Sequence, residues 1–199
     1  MRASPRSLFL ALALWAAPTV AAAGPAADLI GAMGDEAKEM LRATEGDLGM
    51  RETALRAGLV NDFDMDYIAR FALGDYWTRA TADQQADYLN MFGAYVVATY
   101  ARRLGGYAGD ELSIVGEEAA GPNDVLVTTH VTRGDAAPIE AEWRVRAAED
   151  APARVIDVRV DGVSLLARAR EEFAGLVRQH GIDGLIEILR ARAGRLGAQ

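Results

Sequence analysis

The 199-residue chain contains no cysteine. That absence excludes disulfides, thiolate zinc sites, iron–sulfur clusters, cysteine nucleophiles and a lipid anchor on an N-terminal cysteine. Histidine occurs only as His130 and His180, and no H-x-x-x-H or H-E-x-x-H spacing exists to hold zinc. His130 falls in an alternating stretch and reads as outer sheet face. His180, just before Gly181, reads as a cation near a helix C-terminus. Beyond residue 23 the only serines are Ser113 and Ser164, and neither lies in a G-x-S-x-G elbow. No P-loop and no G-x-G-x-x-G occurs, which argues against nucleotide or dinucleotide chemistry. Positive charge is short as well. A net charge of −8 and a pI of about 4.8 argue against nucleic acid or an anionic membrane surface as a direct electrostatic partner.

What is present is ordinary for a folded protein. Hydrophobic residues make up 51% and charged residues 25%, too apolar for a disordered chain. The length fits one domain with a sizeable core. The first 23 residues read as a secretory signal peptide. Arg2 and Arg6 form a basic n-region, Leu8 to Ala17 an apolar h-region, and Ala21-Ala22-Ala23 a small-x-small cleavage site. That h-region is too short to span a bilayer, and Pro18 breaks it; no later run reaches the ~18 apolar residues a span needs. Cleavage removes two arginines and no acidic residue, taking the net charge from −8 to −10. The expected mature product, residues 24–199, is a soluble exported domain. Without cysteine it suits the space between two bacterial membranes.

The remaining pattern is helices, then strands, then helices. Ala26 to Arg42 sets Leu29, Ile30, Met33, Met40 and Leu41 on one face, although Gly31 and Gly34 weaken the helix. Met50 to Val60 reads as a short helix, and Asp64 caps another over Met65 to Leu73, ended by Gly74. Thr81 and Gln84 form a capping box that opens the longest helix, Ala82 to Leu104, stopped by Gly105-Gly106. From Glu111 the period changes to two. Glu111–Gly116, Val125–Thr132, Ile139–Ala147 and Ala153–Val160 alternate like four half-buried antiparallel strands. Turns follow from Gly121 to Asp124, Arg133 to Pro138 and Glu149 to Pro152; Arg133-Gly134-Asp135, an adhesion-type tripeptide, reads as turn chemistry. Helical spacing returns over Ser164–His180 and Asp183–Arg195. These features predict one α+β domain: a curved, mainly antiparallel four-stranded sheet packed against a helical layer.

Aromatic residues are concentrated: Tyr67, Phe71, Tyr76, Trp77, Tyr88, Phe92, Tyr95 and Tyr100, joined by Trp143 from the sheet. Such an inventory either fills a solid core or lines a cavity, and composition does not choose between them. Asp64, Asp66 and Asp75 lie near these rings. A cavity enzyme with Asp64 or Asp75 as base and Tyr76 as hydrogen-bond donor therefore stays open beside capping and solvated roles. So does an interaction module without ligand.

Five segments narrow the choice. Leu73-Gly74-x-x-Trp77, Ala80-Thr81-x-x-Gln84, and Phe92 with Thr99-Tyr100-Ala101 resemble the MlaC (toluene-tolerance) family. So do Val158-x-Val160-x-Gly162-Val163-Ser164 and Gly181-Ile182-Asp183-Gly184-Leu185. The resemblance runs from about Ala26 to about Leu196. It implies a soluble periplasmic carrier that shuttles phospholipid between outer and inner membrane, with the tails in an internal apolar pocket between sheet and helices. It implies no enzyme activity and no cofactor, bound lipid being cargo. The implied partners are an outer-membrane lipoprotein complex and an inner-membrane ABC transporter with its substrate-binding ring. A hopanoid-like or other apolar cargo stays open. Exposed acyl chain costs ~0.8 kcal/mol per CH₂, so a two-tailed lipid in water faces roughly 20 kcal/mol or more.

Expected tail contacts on the strands are Val125, Val127, Trp143, Val145, Ile156 and Val158, with Ile156 and Val158 on one face. On the helices they are Tyr76, Phe92, Val96, Tyr100, Leu166 and Phe173. Val163, in the Gly-Val-Ser segment that resembles the family's pocket lining, is the foremost single position. Arg102 and Arg103 are placed either to meet a phosphate at a pocket mouth or as solvated charges at a helix end.

Overall fold

The computed structural model describes residues 24–104, 111–132, 136–148 and 150–197, without the side chains of 102–104, 196 and 197. The segment expected to be a signal peptide, the expected Gly105-Gly106 stop and Arg133-Gly134-Asp135 lie outside the described residues, as do the side chains of Arg102 and Arg103.

Helix α1 (Pro25–Ala43) begins on a proline, whose missing amide hydrogen has no helical partner to lose there. It buries Ala26, Ala27, Ile30 and Leu41. Its two interior glycines face β1 (Glu111–Ala119): a Cβ at Gly34 would lie 3.4 Å from Leu112 Cδ2. Helix α2 (Leu48–Asp62) is capped by Asp47, which accepts from the Met50 amide. Asp64 caps α3 (Met65–Leu73) by accepting from the Tyr67 amide at 3.0 Å. Gly74, at φ 63°, ends α3 and leads into a 3₁₀ segment, Gly74–Arg79. The Thr81–Gln84 box forms reciprocally at 3.1 and 3.2 Å and opens α4 (Ala82–Leu104).

The sheet continues with β2 (Asp124–Thr132), β3 (Ile139–Arg146), β4 (Arg154–Val160) and β5 (Val163–Ser164), all antiparallel in chain order. Five strands form where four were expected. Asp161 (φ 50°) and Gly162 (φ 77°) both sit in the left-handed region, which lets a two-residue turn reverse the chain and pair Val163 with Val160. Helix α5 (Leu165–Gly197) follows. Ser164 Oγ accepts from the Ala167 amide while Asp157 accepts from Ser164 and from the Leu166 amide, so strand and helix share one cap. The two helical stretches expected here are one path broken at Gly181, whose φ of 73° and ψ of 178° are not helical.

Register corrects one strand. Arg144 pairs with Asp157 but Val145 pairs with Val155, a bulge that slips the alternation of β4 by one residue. Val155 and Val158 therefore share the face of Val145 and Trp143, and Ile156 does not share it with Val158 as alternation alone had predicted.

At the start of β2, Asp124 clamps β3. Its carboxylate accepts from Arg144 Nε at 2.9 Å and Arg146 Nε at 3.1 Å, and the Arg146 guanidinium lies 4.7 Å from the Tyr67 ring centroid. Burial alone pushes the Asp124 pKa up; hydrogen bonds from Arg146 and Arg144, and their charges, outweigh it and hold the pKa below the ordinary carboxylate value. A depressed folded pKa contributes stability above the unfolded value and loses it as pH falls through the folded one. Asp124→Asn is therefore expected to cost about 1–3 kcal/mol at pH 7, with the difference narrowing as pH falls below the ordinary carboxylate value and through the depressed folded one. Urea melts of both proteins from pH 7 down to the most acid pH at which both still fold check this. A deficit that stays constant over the whole range would show that the carboxylate charge is not what holds the strands.

Candidate functional site

The apolar interior is not one body. A helical cluster contains Ala69, Leu73, Tyr88, Phe92, Phe173 and Leu189 among its buried members, drawn from α3, α4 and α5. A sheet cluster contains Ala26 and Ile30 of α1 with Val127, Val145 and Val155. Domains of this size usually build one contiguous core. Here α3 and α5 meet the sheet at β4, while α2 packs on α1, α4 and β4 and so borders both clusters.

The expected tail contacts divide between the two clusters. Phe92, Leu166 and Phe173 are buried in the helical cluster, and Tyr76 and Val96 pack half-buried against it. Val127 and Val145 are buried in the sheet cluster, with Val125, Trp143 and Val158 half-buried against it. Trp143 is oriented by its indole N–H, which donates to Thr129 Oγ1 at 2.9 Å. Ile156 is buried but belongs to neither cluster, and Tyr100 is half-buried on α4. Val163 is 53% exposed, at the far edge of the sheet. Sequence reasoning missed that α1 supplies part of the sheet cluster. Leu29, Ile30 and Met33 carried the helical spacing, but nothing local said which layer they would cover.

Two open clefts lie on the surface. One, about 550 Å³, lies between α1 and α2 and is lined by Met40, Ala43, Met50 and Ala54 among others. The other, about 520 Å³, lies beside α3 and holds Asp64, Asp66, Asp75 and Arg170. No expected tail contact lines either one. In the second cleft each carboxylate is engaged. Asp64 caps α3, Asp66 pairs with Arg70 at 2.8 Å, and Asp75 pairs with Arg170 at 3.3 Å. The Arg70 and Arg170 guanidinium carbons lie 5.0 Å from the Trp77 ring centroid and 4.9 Å from that of Phe71. Asp64 and Asp75, the candidate bases of a cavity enzyme, therefore have structural partners. His130 sits half-exposed, 3.7 Å from Glu140, on the outer face expected for it. Among the described residues no cluster suited to a metal ion occurs, and no helix is long and apolar enough to cross a membrane.

Residues 32–191 match the MlaC protein family profile. The chain is similar to the intermembrane phospholipid transport system binding protein MlaC of Haemophilus influenzae, 26% identical over 145 residues, covering 71% of this chain and 67% of that protein. In fold it is similar to a phospholipid-binding protein of Ralstonia solanacearum solved with a phospholipid bound. That match has a TM-score of 0.74 at 23% identity and covers 86% of this chain and 98% of that one.

Proposed function

Since the chain belongs to the MlaC family, we propose that it is a periplasmic phospholipid carrier whose tail-binding space is the seam between the sheet cluster and the helical cluster. The observation that carries this reading is the division of the interior. The buried apolar residues form two clusters, and α2, of whose residues only Leu59 is buried, packs on elements of both. A lipid tail inserted there completes one continuous core, gaining ~0.8 kcal/mol per methylene removed from water. Tyr76, Phe92, Val96, Leu166 and Phe173 are then contacts from one side, and Val125, Val127, Trp143, Val145 and Val158 from the other. Tyr100, Ile156 and Val163 complete the set.

The cargo shuttles between outer and inner membrane. The carrier collects or delivers it at an outer-membrane lipoprotein complex and at an inner-membrane ABC transporter with its substrate-binding ring. Residues 1–23 direct export and residues 24–199 form the single lipid-binding domain. A surface of net charge −10 after signal removal disfavours adsorption to anionic lipid, so transfer runs through protein docking.

Native mass spectrometry on protein exported with its own leader, and never exposed to detergent, tests the proposal. Discrete added masses that extract as phospholipid are the expected result. Masses of a hopanoid-like or other apolar lipid would keep the carrier and change the cargo. A bare mature mass would overturn the carrier reading.

A further inference from the structure

The residue that opens α1 and one carboxylate of β1 are held together across the layers. Gly24, the N-cap of α1, has extended backbone, and its nitrogen donates to Glu117 Oε2 at 3.3 Å. Three glycines, Gly24 at the cap with Gly31 and Gly34 inside the helix, mark where α1 lies against β1. A Cβ at Gly34 would meet Leu112, one at Gly31 would meet Ile114 at 3.9 Å, and one at Gly24 would stand 2.8 Å from Glu117 Oε1. The bulge of β1 brings the third partner round. Ile114 pairs with Thr129 and Gly116 with Thr128, so Val115 is the extra residue and the alternation flips beyond it. Simple alternation from Leu112 and Ile114 would have turned Gly116 and Glu118 toward α1. Glu117 instead comes opposite Val127, which is packed with Ala26 and Ile30 of α1.

The small-x-small segment Ala21-Ala22-Ala23 ends at this same residue. Resting on the export reading above, we infer that the Ala23–Gly24 bond is the processing site and that Glu117 receives the ammonium which its cleavage releases. Hydrolysis adds one water: Ala23 leaves with a carboxylate, and the Gly24 nitrogen takes up protons to become the chain's new ammonium. A residue-24 amide offers one neutral N–H, whereas an ammonium offers three and a positive charge, and charge-assisted hydrogen bonds are roughly twice as strong. A cation at a helix N-terminus is repelled by the helix dipole, and the Glu117 carboxylate offsets that repulsion. Asp28, exposed in the first turn, adds a second negative charge. Other charges are turned away or distant. Register sets Val125, Val127 and Val145 on the α1 side of β2 and β3, and leaves Asp124, His130, Glu140, Glu142, Arg144 and Arg146 on the other. Helix α2 brings Asp62 under the charge of Glu36, roughly 18 Å along α1 from Gly24. Leader removal thereby fastens the start of α1 over the sheet cluster.

Lys38 is the only lysine of the sequence, so the mature chain holds two primary amines that mass spectrometry reads separately. The intact mass of the exported protein is expected to begin at Gly24. A chain that begins elsewhere would overturn the processing site, and one that keeps residues 1–23 would overturn the export reading and this inference with it. Limited acetylation of the mature protein over a range of pH, followed by peptide mapping, then titrates the α-amino group with Lys38 as internal control. In Glu117→Gln its acid dissociation constant is expected to be about threefold larger than in the wild type, the size of an exposed ion pair. The ratio falls toward one in about 1 M salt, where such a pair is screened. Equal constants in wild type and Glu117→Gln at low salt would overturn the role of Glu117. A chain lengthened to start at Ala23 displaces the ammonium by one residue and is expected to lose the dependence on Glu117. The same threefold dependence in that chain would overturn the assignment to Gly24.

Discussion

Replacing Phe173 with alanine is expected to destabilise the protein by about 3–5 kcal/mol with little change in the urea m-value. The ring is 1% exposed and stands edge-on to two others, 6.2 Å from Phe92 and 6.4 Å from Tyr88 at interplanar angles of 85° and 89°. Both contacts cross from α5 to α4, so the triad packs those helices together. Tyr88 cannot shift to fill the gap, because its hydroxyl donates to the Ala69 carbonyl at 2.8 Å and ties α4 to α3. Burial holds that hydroxyl protonated by pushing its pKa far above the usual tyrosine value. A cavity lined by fixed neighbours collapses little, which puts the cost toward the upper end of the range. Urea melts followed by far-UV circular dichroism measure it. A loss below about 1 kcal/mol would show that Phe173 faces an adaptable space instead of a packed core.

Much of the fold was legible in the residues, for reasons that can be named. The Asp64 cap and the Thr81–Gln84 box depend on side chains three residues from their partners, so local order contains them. The period change at Glu111 is likewise local, and four strands form close to where alternation placed them, although β1 runs on past Gly116 to Ala119 across a bulge. Contacts set by distant neighbours were less legible. The β4 bulge is a matter of register against β3, and no alternation within β4 signals that Val155 and Val158 will share a face. Asp124 had the composition of a turn residue; its role as a clamp exists only because Arg144 and Arg146 lie alongside on another strand. The fifth strand needed a left-handed non-glycine at Asp161, a conformation sequence composition rarely reveals. The candidate site suffered in the same way. Residue type identified apolar positions on both layers, but the division into two clusters is a property of how α1 packs on the sheet while α3, α4 and α5 pack on one another.

Val163→Glu is expected to reduce bound phospholipid at least about tenfold while leaving the melting temperature within ~2 °C of wild type. The two halves of that expectation rest on different features. Stability is spared because Val163 is 53% exposed, and β5 is held by the Asp161-Gly162 turn and by the Ser164–Asp157 cap, neither of which uses the valine side chain. Exposed substitutions of this kind usually stay within about 0.5 kcal/mol. Loading is lost because a carboxylate set against an acyl chain must either be desolvated, at several kcal/mol, or keep its water and leave methylenes wet at ~0.8 kcal/mol each. Four wet methylenes already cost ~3 kcal/mol, more than a hundredfold in occupancy. The control is Val115→Glu. That valine is 51% exposed at the bulge of β1, on the opposite edge of the same sheet, so it introduces the same charge in a similar solvent setting. Loss of lipid in Val163→Glu with full loading in Val115→Glu assigns the effect to position. Loss in both makes it a consequence of added charge, and full loading in both removes Val163 from the tail contacts.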